Sequence, residues 1–174
     1  MAKVSLTKLG LKVNQDVKNI EFNEQIIEVK QYLPINEKLE LISSVINSAA
    51  DENNFSNPVK ENVFLTLEIL YHYTNINFTD KQKEDPVKLY DLVVSSGLVN
   101  KVTGLIPEEE LDEVINGVAQ SVKAIYTYRN SALGILESIS QDYSNLDLDA
   151  TEIQEKLADP ENMAFLKQVL TKLG

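Results

Sequence analysis

The stretch Ile20–Asn47, IEFNEQIIEVKQYLPINEKLELISSVIN, changes its hydrophobic period halfway along. In its first half, apolar and polar residues alternate on both sides of the polar pair Asn23-Glu24. The alternating apolar residues are Ile20, Phe22, Ile27 and Val29. Period two around a polar pair predicts a β-hairpin. After Asn36 the apolar residues recur every three or four positions, which predicts a helix that ends near Ala49.

The chain beyond this stretch carries residue combinations that are typical of helix starts. Thr79 with Gln82 matches a capping box, and Asp85 precedes a proline that can occupy a first helical turn. Further predicted helices run from Pro58 to about Tyr73, from Pro86 to about Gly97, and from Asp159-Pro160 to the end of the chain. The sequence therefore predicts a mainly α protein.

The segment Pro107–Ser140, PEEELDEVINGVAQSVKAIYTYRNSALGILESIS, is the longest helical pattern in the chain. The three glutamates of its first turn, Glu108, Glu109 and Glu110, suit the positive end of a helix dipole. Apolar residues then follow in steps of four and three, and those expected to be buried are Leu111, Ile115, Val118, Val122, Ile125 and Leu136. This near-heptad stripe is typical of a central helix around which others pack, and the alternative is a dimeric coiled coil. The expected fold is a helical bundle around this helix.

The N-terminal residues form an extended arm that precedes the hairpin. The arm MAKVSLTKLGLKVNQD is too apolar for an idle tail, and a lone hairpin is only marginally stable in water. We therefore predict that residues 1–33 are an arm and hairpin that contact another protein chain, and that 34–174 form the helical domain. The alternative is that the arm packs on its own helices. The predicted contact residues are Val4, Leu6, Leu9, Leu11, Val13, Ile20, Phe22, Ile27 and Val29.

The charge of the chain disfavours several classes of partner. It carries 16 Lys and Arg against 27 Asp and Glu, a net charge of −11, which repels phosphate backbones and anionic lipid surfaces. We therefore expect neither nucleic-acid nor membrane binding. The acidic C-terminal third is a solubilising surface or a surface that docks a basic partner. The chain has no cysteine and no apolar run long enough to cross a bilayer, so we expect a soluble protein made in a cytoplasm.

No pattern in the sequence indicates catalysis or a cofactor. His72 is the only histidine, and no neighbouring motif supplies a nucleophile or an orienting acid, so a surface or interface role is expected. Acidic groups such as the one in DYSNLDLDATE lack the glycine and the spacing of a calcium loop. Phosphate-binding glycine loops and zinc-protease motifs are also missing. We expect a protein that is not an enzyme and uses no metal or cofactor.

Three stretches of the chain carry a resemblance to a known group of proteins. They are Ile20–Asn47, YTNINFTDKQKEDPVKLYDLV at Tyr73–Val93, and YTYRNSALGILESIS at Tyr126–Ser140. With them the chain resembles virion-morphogenesis proteins from the structural gene modules of tailed phages and prophages of Gram-positive bacteria. The strand pair that leads into helices also resembles tail assembly chaperones, the acidic helical proteins that hold a tape-measure protein before tail polymerisation.

This resemblance implies a structural or assembly protein of a bacteriophage. It implies contacts with other phage structural proteins or with sister copies. These contacts would occur in the host bacterial cytoplasm during assembly and, if the protein is a virion component, in the virion. Two other readings stay open, a permanent head or head-tail accessory protein and a generic bacterial helical adaptor. The chain is longer than expected of a tail assembly chaperone, which keeps the first of these alternatives open. The motifs are structural, and no catalytic residue follows from them.

Overall fold

The computed structural model of the chain describes residues 3–51, 56–131 and 134–135. The chain divides into two compact units, Met1–Val122 and Lys123–Gly174. The predicted boundary at residue 33 falls inside the first unit, where Leu33 is fully buried. The predicted last helix from Asp159 lies outside the described residues.

The described part of the chain is mainly helical and contains one antiparallel hairpin, as predicted. The strands are β1 at Val17–Phe22 and β2 at Gln25–Lys30. The helices are α1 at Ile35–Ala49, α2 at Pro58–Tyr73, α3 at Asp80–Lys83, α4 at Pro86–Ser95, α5 at Leu98–Thr103 and α6 at Glu108–Arg129.

The hairpin turns at Asn23 and Glu24, as the alternating pattern predicts. Both residues have positive φ angles, 49° and 63°, which is the conformation that a tight two-residue hairpin turn requires. Ile20 of β1 lies opposite Ile27 of β2, so the four alternating apolar residues Ile20, Phe22, Ile27 and Val29 share one face. On that face Ile27 is buried and Ile20 is partly buried against the core.

Side chains cap the helices at the predicted positions. Thr79 and Gln82 form a capping box, and Asp85 accepts a hydrogen bond from the backbone of Lys88 in α4. Helix α2 begins at Pro58. The side chain of the preceding residue, Asn57, caps it by accepting hydrogen bonds from the backbone N–H groups of Val59 and Lys60. In contrast, α1 begins directly after Pro34 and has no side-chain cap, so the helix starts two residues earlier than the predicted start after Asn36.

In the core of the first unit, α2 packs against α1, α4 and α5. Buried side chains of α2 recur at helical spacing, and they are Val63, Leu67, Ile69, Leu70 and Tyr73. The hairpin also contributes to this core, because Val29 of β2 is fully buried and forms a backbone bridge with Thr74 at the end of α2. The hairpin and the helices therefore share one core.

The buried face of α6 coincides only in part with the predicted one. Val118 is buried as predicted, at 4% exposed, whereas Ile115 and Ile125 were expected in the core but are 39% and 37% exposed. Val114, which was not predicted, is fully buried. Leu111 and Val122 are partly buried, and Leu136 lies outside the described residues. The buried face includes Glu110, a charged residue that an apolar pattern cannot assign to the core.

Candidate functional site

The N-terminal arm, residues 3–16, is exposed along its whole length. It contains a single 3-10 turn at Leu6–Leu9, which ends at Gly10 with a φ of 59°. The five apolar side chains predicted to bind a partner are 55–72% exposed, and they are Val4, Leu6, Leu9, Leu11 and Val13. The arm thus presents apolar side chains to its surroundings instead of adding them to the core.

The other four predicted contact residues lie on the hairpin and have different environments. Ile20 and Phe22 are partly buried against the core, while Ile27 and Val29 are buried within it. Lys101 of α5 lies over the Phe22 ring, with 5.2 Å between its Nζ and the ring centroid. The structure therefore separates the nine predicted residues into an exposed set on the arm and a packing set on the hairpin.

A buried carboxylate, Glu110, lies where the first turn of α6 meets the other elements. Its Oε1 accepts hydrogen bonds from the backbone N–H of Leu33 at 2.8 Å and from the hydroxyl of Tyr73 at 2.9 Å. Its Oε2 accepts from Nζ of Lys38 at 2.8 Å. Lys38 also reaches Glu113 Oε2 at 2.6 Å, and its Nζ lies 4.8 Å from the centroid of the Tyr32 ring. Glu110, Lys38 and Tyr73 are called the buried polar cluster below.

The buried polar cluster favours the protonated forms of Lys38 and Tyr73. Burial lowers the pKa of the Lys38 ammonium, but the hydrogen bonds to Glu110 and Glu113 outweigh this effect and the pKa is raised. Burial and the hydrogen bond to Glu110 both raise the pKa of the Tyr73 hydroxyl far above its ordinary value. These groups are 3% and 0% exposed, and their hydrogen bonds to Glu110 join α1 and α2 to α6.

A surface groove of about 420 Å³ lies between α1, α2 and the segment that follows α2. We call it the α1–α2 groove. Its apolar wall is formed by Phe64, Leu67, Phe78, Pro86 and Leu89. Its polar and rim residues are Glu40, Ser44, Ser48, Glu68, Tyr71, His72 and Lys83. The groove is large enough for a small ligand or for a few side chains of another protein.

The polar wall of the groove contains a serine, a glutamate and the histidine in contact. The Ser44 hydroxyl donates to Glu68 Oε1 at 2.5 Å, and Glu68 Oε2 lies 3.4 Å from His72 Nε2. Burial raises the pKa of Glu68, but the hydrogen bonds from His72 and Ser44 outweigh this effect and lower it. The carboxylate therefore lies between the serine and the histidine.

This order differs from the one that nucleophilic catalysis requires. In an acyl-transfer triad the histidine contacts the serine and takes its proton, whereas here Ser44 gives its hydrogen bond to an ionised carboxylate. The arrangement holds α1 against α2 at the groove wall. Because His72 is part of it, the structure places this histidine in a groove rather than on an open surface.

Sequence reasoning identified His72 but missed its partners. Glu68 precedes His72 by four residues, a spacing that places both side chains on one face of a helix, so this pair had a readable signal. Ser44 comes from another helix, and only tertiary packing brings it to Glu68.

The described ranges 3–51, 56–131 and 134–135 contain no group of three or more His, Cys, Asp or Glu side chains that could hold a metal ion. None of the helices in these ranges is both long enough and apolar enough to span a membrane. Comparison of the chain with known protein families, curated proteins and solved structures identified no match.

Proposed function

We propose that this protein is a non-enzymatic assembly protein of a tailed bacteriophage, which works through protein–protein contacts made by its N-terminal arm. The phage setting rests on the resemblance carried by the three stretches at Ile20–Asn47, Tyr73–Val93 and Tyr126–Ser140. Tail assembly chaperone is the specific role that we favour. Its proposed partners are other phage structural proteins or sister copies, in the host bacterial cytoplasm. Nucleic acid and membranes are not among the proposed partners.

The observation that carries this proposal is the exposure of the arm. Its five apolar side chains at positions 4, 6, 9, 11 and 13 are 55–72% exposed. Burying all five against a partner would contribute on the order of 10 kcal/mol before the cost of ordering the arm. Apolar residues that are concentrated in one segment and left uncovered are typical of an interaction site.

The hairpin edge beside the arm offers a second kind of contact. In an antiparallel pair with a two-residue turn, alternate residues of β1 direct their backbone groups away from β2, and these are Val17, Asn19 and Glu21. Among the described residues no further strand pairs with this edge. A partner strand could therefore extend the sheet at β1.

The arrangement of the helices is also part of this proposal. We propose that the helices form a bundle around the long helix that begins at Glu108. The burial of Val114 and Val118, and the hydrogen bonds that Glu110 accepts from three other elements, support this arrangement.

Amine-specific cross-linking during phage assembly tests the proposed contact. Lys3, Lys8 and Lys12 lie on the arm, and the exposed Lys60 and Lys88 on the helices serve as internal controls. In host cells with an assembling phage or prophage, we expect cross-links from the arm lysines to a phage structural protein or to a second copy. Cross-links that involve Lys60 and Lys88 but never the arm would contradict the proposal.

Mass spectrometry of purified particles separates the two phage roles. A tail assembly chaperone should be abundant in assembling cells and missing from finished particles. A constant number of copies per particle would instead identify a permanent virion component.

A further inference from the structure

We infer that the α1–α2 groove is the acceptor for the N-terminal arm of a second copy of this chain. This inference rests on the proposed function, because it names the partner and the surface that the arm contacts. Its consequence is self-association in which each copy donates an arm and offers a groove.

The arm and the groove have complementary apolar surfaces. Leu6 and Leu9 lie three residues apart in the 3-10 turn, and residues at this spacing eclipse one another, so the two leucines form one apolar ridge. They are 72% and 55% exposed. The groove offers the partly buried ring of Phe64 and the half-exposed ring of Tyr71. An apolar ridge on one copy and an apolar wall on another can bury each other.

Charge favours the body of a second copy as the partner of the arm. Residues 1–15 contain three lysines and no acidic residue. Residues 16–122 contain eight lysines against nineteen Asp and Glu, a net charge of −11. Opposite charge on two surfaces assists their encounter and fixes their orientation. The arm is thus the basic part of a chain whose folded body is strongly acidic.

Charge also favours the α1–α2 groove over a second groove on the same unit. The second groove, of about 290 Å³, is lined by Lys81, Lys88 and a single acidic residue, Asp85. Lysines of the arm would be repelled there. The α1–α2 groove instead carries the carboxylates of Glu40 and Glu68 against one lysine, Lys83.

Donor and acceptor are different surfaces of one chain, so the contact is heterologous. A heterologous contact produces a ring or an open chain when every copy uses both of its surfaces, and a dimer only when two copies exchange arms. Loss of either surface on a given copy stops growth at that copy. This property allows a complementation experiment with full-length chains.

The donor variant is Leu6→Ser with Leu9→Ser, which removes the apolar ridge from the exposed arm. The acceptor variant is Ser48→Arg, because Ser48 is exposed at the groove and an arginine there adds bulk and a charge that repels the arm. Ser43→Arg is the matched control, because Ser43 is exposed on the same helix and does not line the groove. Glu40→Lys serves as a second acceptor variant if Ser48→Arg does not fold by circular dichroism.

Sedimentation velocity measures the outcome. We expect the wild-type chain and Ser43→Arg to self-associate, and the donor and acceptor variants each to associate at least about tenfold more weakly. Mixed in equal amounts, these two variants should form a dimer with one copy of each, because one keeps a groove and the other keeps an arm.

A mixture that stays monomeric, or an acceptor variant that associates like the wild type, would overturn the groove as the acceptor. If the donor variant loses self-association and the acceptor variant keeps it, the arm binds a surface other than the α1–α2 groove, and the proposed function stands. A wild-type chain that is monomeric at all concentrations would also overturn the inference. In that case, cross-links from the arm to a different phage protein would preserve the proposed function. The absence of such cross-links would contradict the proposed function as well as the inference.

Discussion

Two neighbouring residues of α1 reverse the usual distribution of polar and apolar side chains. Lys38 is 3% exposed, whereas Leu39 is 57% exposed. The lysine can be buried because two carboxylates, those of Glu110 and Glu113, compensate its charge. Lys38 shares the buried side of α1 with Leu41, Val45 and Ala49, so these two ion pairs allow a charged residue to lie on the core-facing side of the helix.

A turn residue gives the first prediction at the residue scale. Glu24 has a φ of 63°, a conformation that costs a residue with a Cβ about 1 kcal/mol or more and costs glycine little. We expect Glu24→Gly to raise the free energy of unfolding by about 0.5–1 kcal/mol, after the greater freedom of glycine in the unfolded chain is allowed for. Urea denaturation measures this difference.

The matched control is Glu21→Gly, in the interior of β1, where glycine weakens a strand. We expect it to lower the free energy of unfolding by about 0.5–1 kcal/mol. If both substitutions changed stability in the same direction, the strained turn would not be the cause.

At the scale of the element, α6 carries a charged residue on its core-facing side. The face that contacts the core runs through Glu110, Val114 and Val118, each four residues apart. Gly117 on this helix lies close to α1, since an added Cβ would come within 2.6 Å of Ile42 Cδ1. This close approach between the helices limits the side chains that α6 can carry there.

Adjacent positions on α6 provide a paired test of this face. Val114 is fully buried and Ile115 is 39% exposed. We expect Val114→Asp to destabilise the fold by several kcal/mol, about 3 or more, because it buries an unpaired carboxylate. Ile115→Asp should cost less than about 1 kcal/mol. Thermal unfolding followed by circular dichroism measures both, and equal losses would contradict the assigned face.

At the scale of the whole molecule, the buried polar cluster joins four elements through one carboxylate. The segment between β2 and α1, helix α1 and helix α2 each donate a hydrogen bond to Glu110 of α6. Removing one partner of such a cluster leaves a buried polar group unpaired, which costs about 3–5 kcal/mol when the partner is charged. The cluster therefore fixes the positions of these elements more narrowly than apolar packing alone.

The same cluster makes stability depend on pH in the alkaline range. The pKa values of Lys38 and Tyr73 are raised in the folded protein, so the unfolded chain loses these protons first as the pH rises. Their contribution to stability is complete below about pH 10 and is lost progressively above it. We expect the melting temperature of the wild type to fall steeply above this pH.

Tyr73→Phe is the control for this prediction, because it keeps the buried ring and removes one of the two titrating groups. We expect it to lower the melting temperature at neutral pH and to flatten the decline in alkaline solution. An unchanged slope would exclude Tyr73 as a source of the pH dependence.

The sequence by itself determined the local structure of this protein. The two-residue turn at Asn23-Glu24, the capping box at Thr79 and the helix start at Pro86 all follow from neighbouring residues, and the structure confirms them. The apolar arm was also evident in the sequence, because its residues are consecutive along the chain. Such features depend on backbone preferences and on hydrogen bonds over a few residues.

Only the tertiary structure decided which faces of the helices are buried and where the groove lies. Lys38 and Glu110 are 72 residues apart in the chain, and Ser44 and Glu68 are 24 residues apart. The hydrophobic pattern of a single segment predicts that each charged residue is exposed, because burying one unpaired charge is unfavourable. Folding brings the two charges together, and their mutual compensation then allows both to enter the core.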